Sequence, residues 1–147
     1  MSSVLPRRLP ASGVVLVAAL AMVAGQLVGP ARAAAAGSCT TSAPGSAYSV
    51  TVCLTTPDGT LSGEAPLSAT VAIAPAAGIT APAVEKVVFS YREEYLLSDH
   101  DPANGMTYAM TWRTTRIADG TGVLEAKARL ADDFVARTAV AVTLANG

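Results

Sequence analysis

The densest cluster of chemically versatile side chains is Ser98-Asp99-His100-Asp101, which holds the only histidine of the chain. Two carboxylates beside an imidazole are metal-ligand types, and histidine is also the base that a nucleophilic triad requires. Adjacent side chains on an extended segment point in opposite directions, so these three do not converge easily on one ion. Asp99, Asp101, Asn104 and Gly105 sketch a calcium loop but lack the terminal Glu of an EF-hand. Glu93-Glu94 is a second carboxylate pair. Neighbours on a strand diverge, which suits a charged hairpin tip better than acid/base work. No G-x-S-x-G elbow, phosphate-cradling glycine loop or H-E-x-x-H helix occurs. The expectation is a chain with no catalytic residue, no metal site and no cofactor.

Two further groups could carry function. Tyr91, Tyr95, Tyr108 and Trp112 could form an aromatic platform for a sugar, but at alternate strand positions such residues belong more often to a core. Cys39 and Cys53 are the only cysteines. An even count in an exported chain reads as one disulfide, closing a loop of 15 residues counted inclusively. The chain-entropy argument gives such a loop roughly 3 kcal/mol.

Export is predicted from the other end of the chain. Arg7 and Arg8 precede an uncharged apolar run from Val14 to Ala24, too short for the roughly 20 residues of a membrane-spanning helix. Gly25, Gly29, Pro30 and then Ala31-Arg32-Ala33 follow, an A-x-A cleavage pattern. Together they predict a secretory signal peptide over residues 1–33, cut between Ala33 and Ala34. No membrane span remains after cleavage. The whole chain has 147 residues and a formal net charge of -1. Removing 33 of them takes away Arg7, Arg8 and Arg32 and none of the eleven acidic residues, which leaves 114 residues at -4. A mildly acidic product argues against a nucleic-acid partner.

What remains must position these groups with strands. Tyr48, Val50, Val52 and Leu54 alternate with Ser49, Thr51 and Cys53, which places Cys53 on the face opposite the apolar set. Thr56-Pro57-Asp58-Gly59 is a turn signal. Further strands are predicted around Leu67–Ile73, Val84–Tyr91, Tyr95–Leu97, Tyr108–Trp112, Leu124–Leu130 and Val140–Leu144, with turns at Asp101–Gly105, Asp119-Gly120 and Asp132-Asp133. About seven short strands in some 100 residues is the pattern of an all-β, immunoglobulin-like antiparallel β-sandwich. Residues 34–46 are expected as an N-terminal tail held by the disulfide, and residues 47–147 as the sandwich.

Several short motifs resemble a known family. They are Cys39-Thr-Thr-Ser-Ala-Pro-Gly-Ser46, Tyr48-Ser-Val-Thr-Val-Cys53, Phe89 to Leu97 before Asp99, Asp119-Gly120, Ala128 with Asp132 and Phe134, and Asn146-Gly147. From Ser38 to Gly147 the chain resembles the N-terminal immunoglobulin-like domain of secreted actinobacterial metallophosphoesterases. It departs from that pattern at Asp133, where Gly is usual, and at Met110–Arg113, where a Leu-Pro pair is expected. In that family a catalytic domain follows, and none of its metal-ligand motifs occurs here, so no catalytic residue carries over. The resemblance implies a secreted, non-catalytic accessory module, with a phosphoesterase domain or a cell-surface component as partner. A carbohydrate- or polymer-binding module and a metallophosphoesterase lacking its catalytic domain are the alternatives.

Overall fold

The computed structural model describes residues 36–147, apart from Asp58 and Asn104. The predicted signal peptide, with its Ala33/Ala34 cleavage position, lies outside the described residues.

Alternation of apolar and polar residues builds nearly every element. The strands are β1 (Ala36–Ser42), β2 (Tyr48–Thr56), β3 (Thr60–Leu61), β4 (Glu64–Pro75), β5 (Val84–Tyr91), β6 (Glu94–Asp99), β7 (Thr107–Arg113), β8 (Gly120–Leu130) and β9 (Val135–Leu144). One 3-10 turn, Thr114–Arg116, joins β7 to β8. A first sheet has the order β1-β2-β4-β7 and a second the order β3-β9-β8-β5-β6. Their inner faces share one core. Val50, Val52, Leu54, Leu67, Ala69 and Val71 from the first sheet meet Val87, Phe89, Leu124, Ala126, Ala128 and Leu130 from the second. The fold is therefore an all-β, immunoglobulin-like sandwich. Leu124–Leu130, whose Glu125 and Arg129 also have helical i,i+4 spacing, is a strand with every apolar residue inward.

Three features differ from the sequence expectation. The segment expected as a tail contains a strand, β1, paired with β2 from Ala36↔Thr56 to Ser42↔Val50. β1 buries no apolar side chain, so periodicity could not reveal it. Its inward hydroxyls instead reach across to β9: Thr40 Oγ1 donates to Thr138 Oγ1 at 3.1 Å, and Thr138 Oγ1 donates to Ser38 Oγ at 3.2 Å. Second, a two-residue strand with no periodicity to reveal it, β3, lies between β2 and β4 and joins the other sheet, pairing parallel with β9 at Thr60↔Thr143 and Leu61↔Leu144. Third, β6 carries a bulge against β5: Phe89 faces Leu97 while Ser90 faces Tyr95, which leaves Leu96 as the extra residue.

Candidate functional site

Each chemically versatile residue singled out in the sequence has a definite place. Asp99 ends β6, and its carboxylate is engaged by backbone. Oδ1 accepts the Asp101 N–H at 3.0 Å, and Oδ2 accepts the Ala109 N–H at 3.3 Å. Asp99 thus ties the β6–β7 loop to β7, while His100 and Asp101 stay exposed. Among the described residues no group of three His, Cys, Asp or Glu side chains could hold a metal ion. Glu93 sits at the β5–β6 hairpin tip and Glu94 begins β6, both exposed.

That tip is tight. Arg92 and Glu93 have φ of +50° and +68°, consecutive left-handed residues that two-residue hairpins normally give to Asn and Gly. Arg92 fastens the tip to β8. Its N–H donates to the Val123 carbonyl at 2.9 Å, Nη2 donates to the Thr121 carbonyl at 2.8 Å, and its guanidinium stands 5.1 Å from the Tyr91 ring centre.

The aromatic stripe divides. Tyr91, Tyr108 and Trp112 are core residues, with Tyr91 and Trp112 centroids 5.1 Å apart. Burial, and then the charge of Asp99, raises the Tyr108 hydroxyl above its ordinary range. Tyr95 is different: it is 61% exposed, on the outer face of the second sheet. Its hydroxyl donates to Ser98 Oγ at 3.2 Å, three residues along, which lays the ring along the strand.

Across that outer face Tyr95, Ser90, Glu125 and Ala139 occupy one row on β6, β5, β8 and β9. Ser90 Oγ is buried and has no hydrogen-bond partner, the one such side-chain atom among the described residues. Glu125 is held by cations on both sides, Lys127 Nζ at 2.9 Å and Arg137 Nη1 at 3.9 Å. A groove of about 500 Å³ adjoins the row, lined by Arg92, Glu93, Thr121, Val123, Glu125 and Ala139. Sequence reasoning found Tyr95 in the wrong company and missed Ser90 and Glu125, which look like ordinary outward positions of well-formed strands.

No family model matches the chain, and no curated protein matches its sequence. Two solved structures are similar to it. One is the endo-β-1,4-mannanase of Thermotoga petrophila, with 14% identity and a TM-score of 0.47, over 76% of this chain and 20% of that one. The other is the fibronectin(III)-like modules of CbhA from Clostridium thermocellum, with 17% identity and a TM-score of 0.40, over 74% of this chain and 96% of that one. The chain spans about a fifth of the mannanase's length. Both likenesses concern fold and nothing beyond it.

The remaining convergent polar groups are joints. Cys39 and Cys53 face each other in the β1–β2 register and form the expected disulfide on the outer face of the first sheet. The Tyr48 hydroxyl donates to Asp132 Oδ2, linking the start of β2 to the β8–β9 turn. In that turn Asp133 has φ +67°, a left-handed conformation that favours glycine. Asn146 Oδ1 accepts from Thr114 Oγ1 at 2.6 Å and from the Gly63 N–H at 3.3 Å. Its Nδ2 donates to Asp119 Oδ1 at 2.9 Å and to the Thr114 carbonyl at 3.2 Å. One side chain near the end of the chain thus gathers three connections.

Proposed function

We propose that this chain is a secreted, non-catalytic β-sandwich module that spaces or docks a neighbouring domain or a cell-surface component. One observation carries this reading: the polar side chains of Asp99 and Asn146 are engaged in fastening the connections between strands. Asp99 anchors the β6–β7 loop, and Asn146 binds the Gly63, Thr114 and Asp119 connections together. Groups committed to holding loops in place are poorly suited to moving protons or holding ions. The disulfide and the signal-peptide pattern support an oxidising, extracellular setting. A phosphoesterase domain is the partner implied by the sequence resemblance.

Calorimetric titration with manganese, zinc and calcium tests this reading. The expected result is no stoichiometric heat for any of the three ions. A one-to-one heat lost in Asp99→Asn would overturn it. The second reading, an extracellular carbohydrate-binding module, is favoured by one feature, the exposed Tyr95 ring. Retention on cell-wall and polysaccharide fractions separates the two, because a pure spacer is held by neither.

A further inference from the structure

We propose that the Cys39–Cys53 disulfide is a redox latch on β1: its reduction by a dithiol frees this edge strand while the rest of the sandwich stays folded. The device is independent of what the module docks.

β1 owes little to the core. It is the outer strand of the first sheet, and no member of the hydrophobic core lies on it. Its seven residues are an alanine, a glycine, the cysteine and four hydroxyl side chains. Ordering a strand costs backbone entropy, which apolar burial repays elsewhere in the fold and does not repay here. β1 is held by backbone pairing with β2, by hydroxyl bonds to Thr51, Thr56 and Thr138, and by the disulfide. Hydrogen bonds at a solvent-facing edge contribute little net, because water replaces them on opening.

Release strands no buried polar group. Thr138 on β9 is 2% exposed, and its hydroxyl is bonded to Ser38 and Thr40. Both partners leave together with β1, and their departure opens Thr138 to water. β2 keeps its own pairing with β4, from Tyr48↔Pro75 to Thr55↔Ser68. Residues 43–47, Ala-Pro-Gly-Ser-Ala, are exposed and supply the hinge.

The bond is also placed for attack. Cys39 is exposed and Cys53 half-buried on the outer face of the sheet. Their row continues as Thr70 and Thr107, and the flanking pairs are Gly37↔Thr55 and Thr41↔Thr51. No carboxylate stands in these pairs to repel an incoming thiolate. The dithiol's thiolate attacks Cys39 Sγ, forms a mixed disulfide and expels the Cys53 thiolate. Its second thiol then displaces Cys39. Two electrons pass to the protein, the dithiol closes to a cyclic disulfide, and both cysteines end as thiols. Exposed disulfides are the labile, regulatory kind. Once β1 is free, β2 presents an open row of backbone N–H and C=O groups, so thiol chemistry sets whether this edge of the first sheet is closed or open.

Hydrogen–deuterium exchange of the purified exported chain, with and without dithiothreitol, tests the latch. Iodoacetamide labelling of both cysteines in a parallel sample confirms reduction. Amides of β1 should exchange about a hundredfold faster in the reduced protein, the factor that cross-linking a loop of 15 residues contributes. Amides of β4, β5 and β8 should keep their protection. Cys39→Ser combined with Cys53→Ser should exchange like the reduced wild type with no reductant present. Unchanged β1 exchange in protein shown to be reduced would overturn the latch. An equal loss of protection in every strand would overturn it as well.

Discussion

The ring of Tyr91 occupies the space beside Gly122 where a side chain would begin: a Cβ built on Gly122 stands 2.5 Å from the tyrosine Cζ and hydroxyl oxygen. The Tyr91 hydroxyl then donates to the Gly120 carbonyl at 3.1 Å. A large ring from β5 and a missing side chain on β8 are one packing solution. Gly122→Ala should therefore cost roughly 1–3 kcal/mol in urea titration, because neither the ring nor the backbone carbonyl can retreat. Pairing it with Tyr91→Leu should recover part of that loss, and strict additivity of the two changes would contradict the packing relation.

The disulfide should stabilise without being needed for the core. It joins two strands of one sheet on the outer face, away from Val50 and Val52. Replacing Cys39 and Cys53 together by Ala should cost on the order of 2–4 kcal/mol and leave a cooperative transition. Val71→Ala or Leu130→Ala should cost roughly 1–4 kcal/mol through cavities in the inner layer. A double cysteine variant without a cooperative transition would contradict this placement.

Acid and alkali should each release the Tyr48–Asp132 joint. Asp132 lies below the ordinary carboxylate range, chiefly because the Tyr48 hydroxyl donates to it. Its contribution is complete above the unfolded value of roughly 3.9 and is lost as pH falls through the lower folded value. Tyr48 is pushed up to about 12, first by burial and then by its bond to Asp132 and that carboxylate's charge. That contribution is complete below roughly 10 and fades as pH rises from there toward the folded value. Thermal midpoints measured across both limbs should change less steeply with pH in Tyr48→Phe. Parallel wild-type and variant profiles would contradict the joint.

The β5–β6 hairpin carries conformational cost that glycine would remove. Glu93 has φ +68° and is exposed, so its side chain offers little in return. Glu93→Gly should raise stability by roughly 0.5–1 kcal/mol, read as a higher urea midpoint. Arg92→Ala should lower it, because the bond to the Thr121 carbonyl and the contact with Tyr91 go together. A lower midpoint in Glu93→Gly would show that the turn is held otherwise.

Legibility in the sequence followed apolar alternation. Tyr48–Leu54 and Leu124–Leu130 expose their strands and faces because every second residue is apolar and buried. β1 was hidden because Gly37, Ser38, Thr40 and Thr41 meet β9 and solvent with hydroxyls and small atoms. β3 was hidden because two residues are too few to show a period, and only Leu61 of them is buried. Tyr95 read as core because its type matched Tyr91 and Tyr108. The bulge at Leu96, which reverses its facing, is a property of pairing between strands. Ser90 is an unremarkable outward serine until its neighbours across the sheet bury it.

The proposal that this chain turns over no phosphate ester by itself is tested most directly with p-nitrophenyl phosphate, in the presence of manganese, zinc and calcium in turn. A metallophosphoesterase gathers several ligands around two ions about 3.5–4 Å apart. Here Asp99 is occupied by the Asp101 and Ala109 N–H groups, beside an exposed His100. The expected result is a rate equal to the metal-only control for wild type and His100→Ala alike. Metal-dependent turnover in the wild type that His100→Ala abolishes would contradict the account.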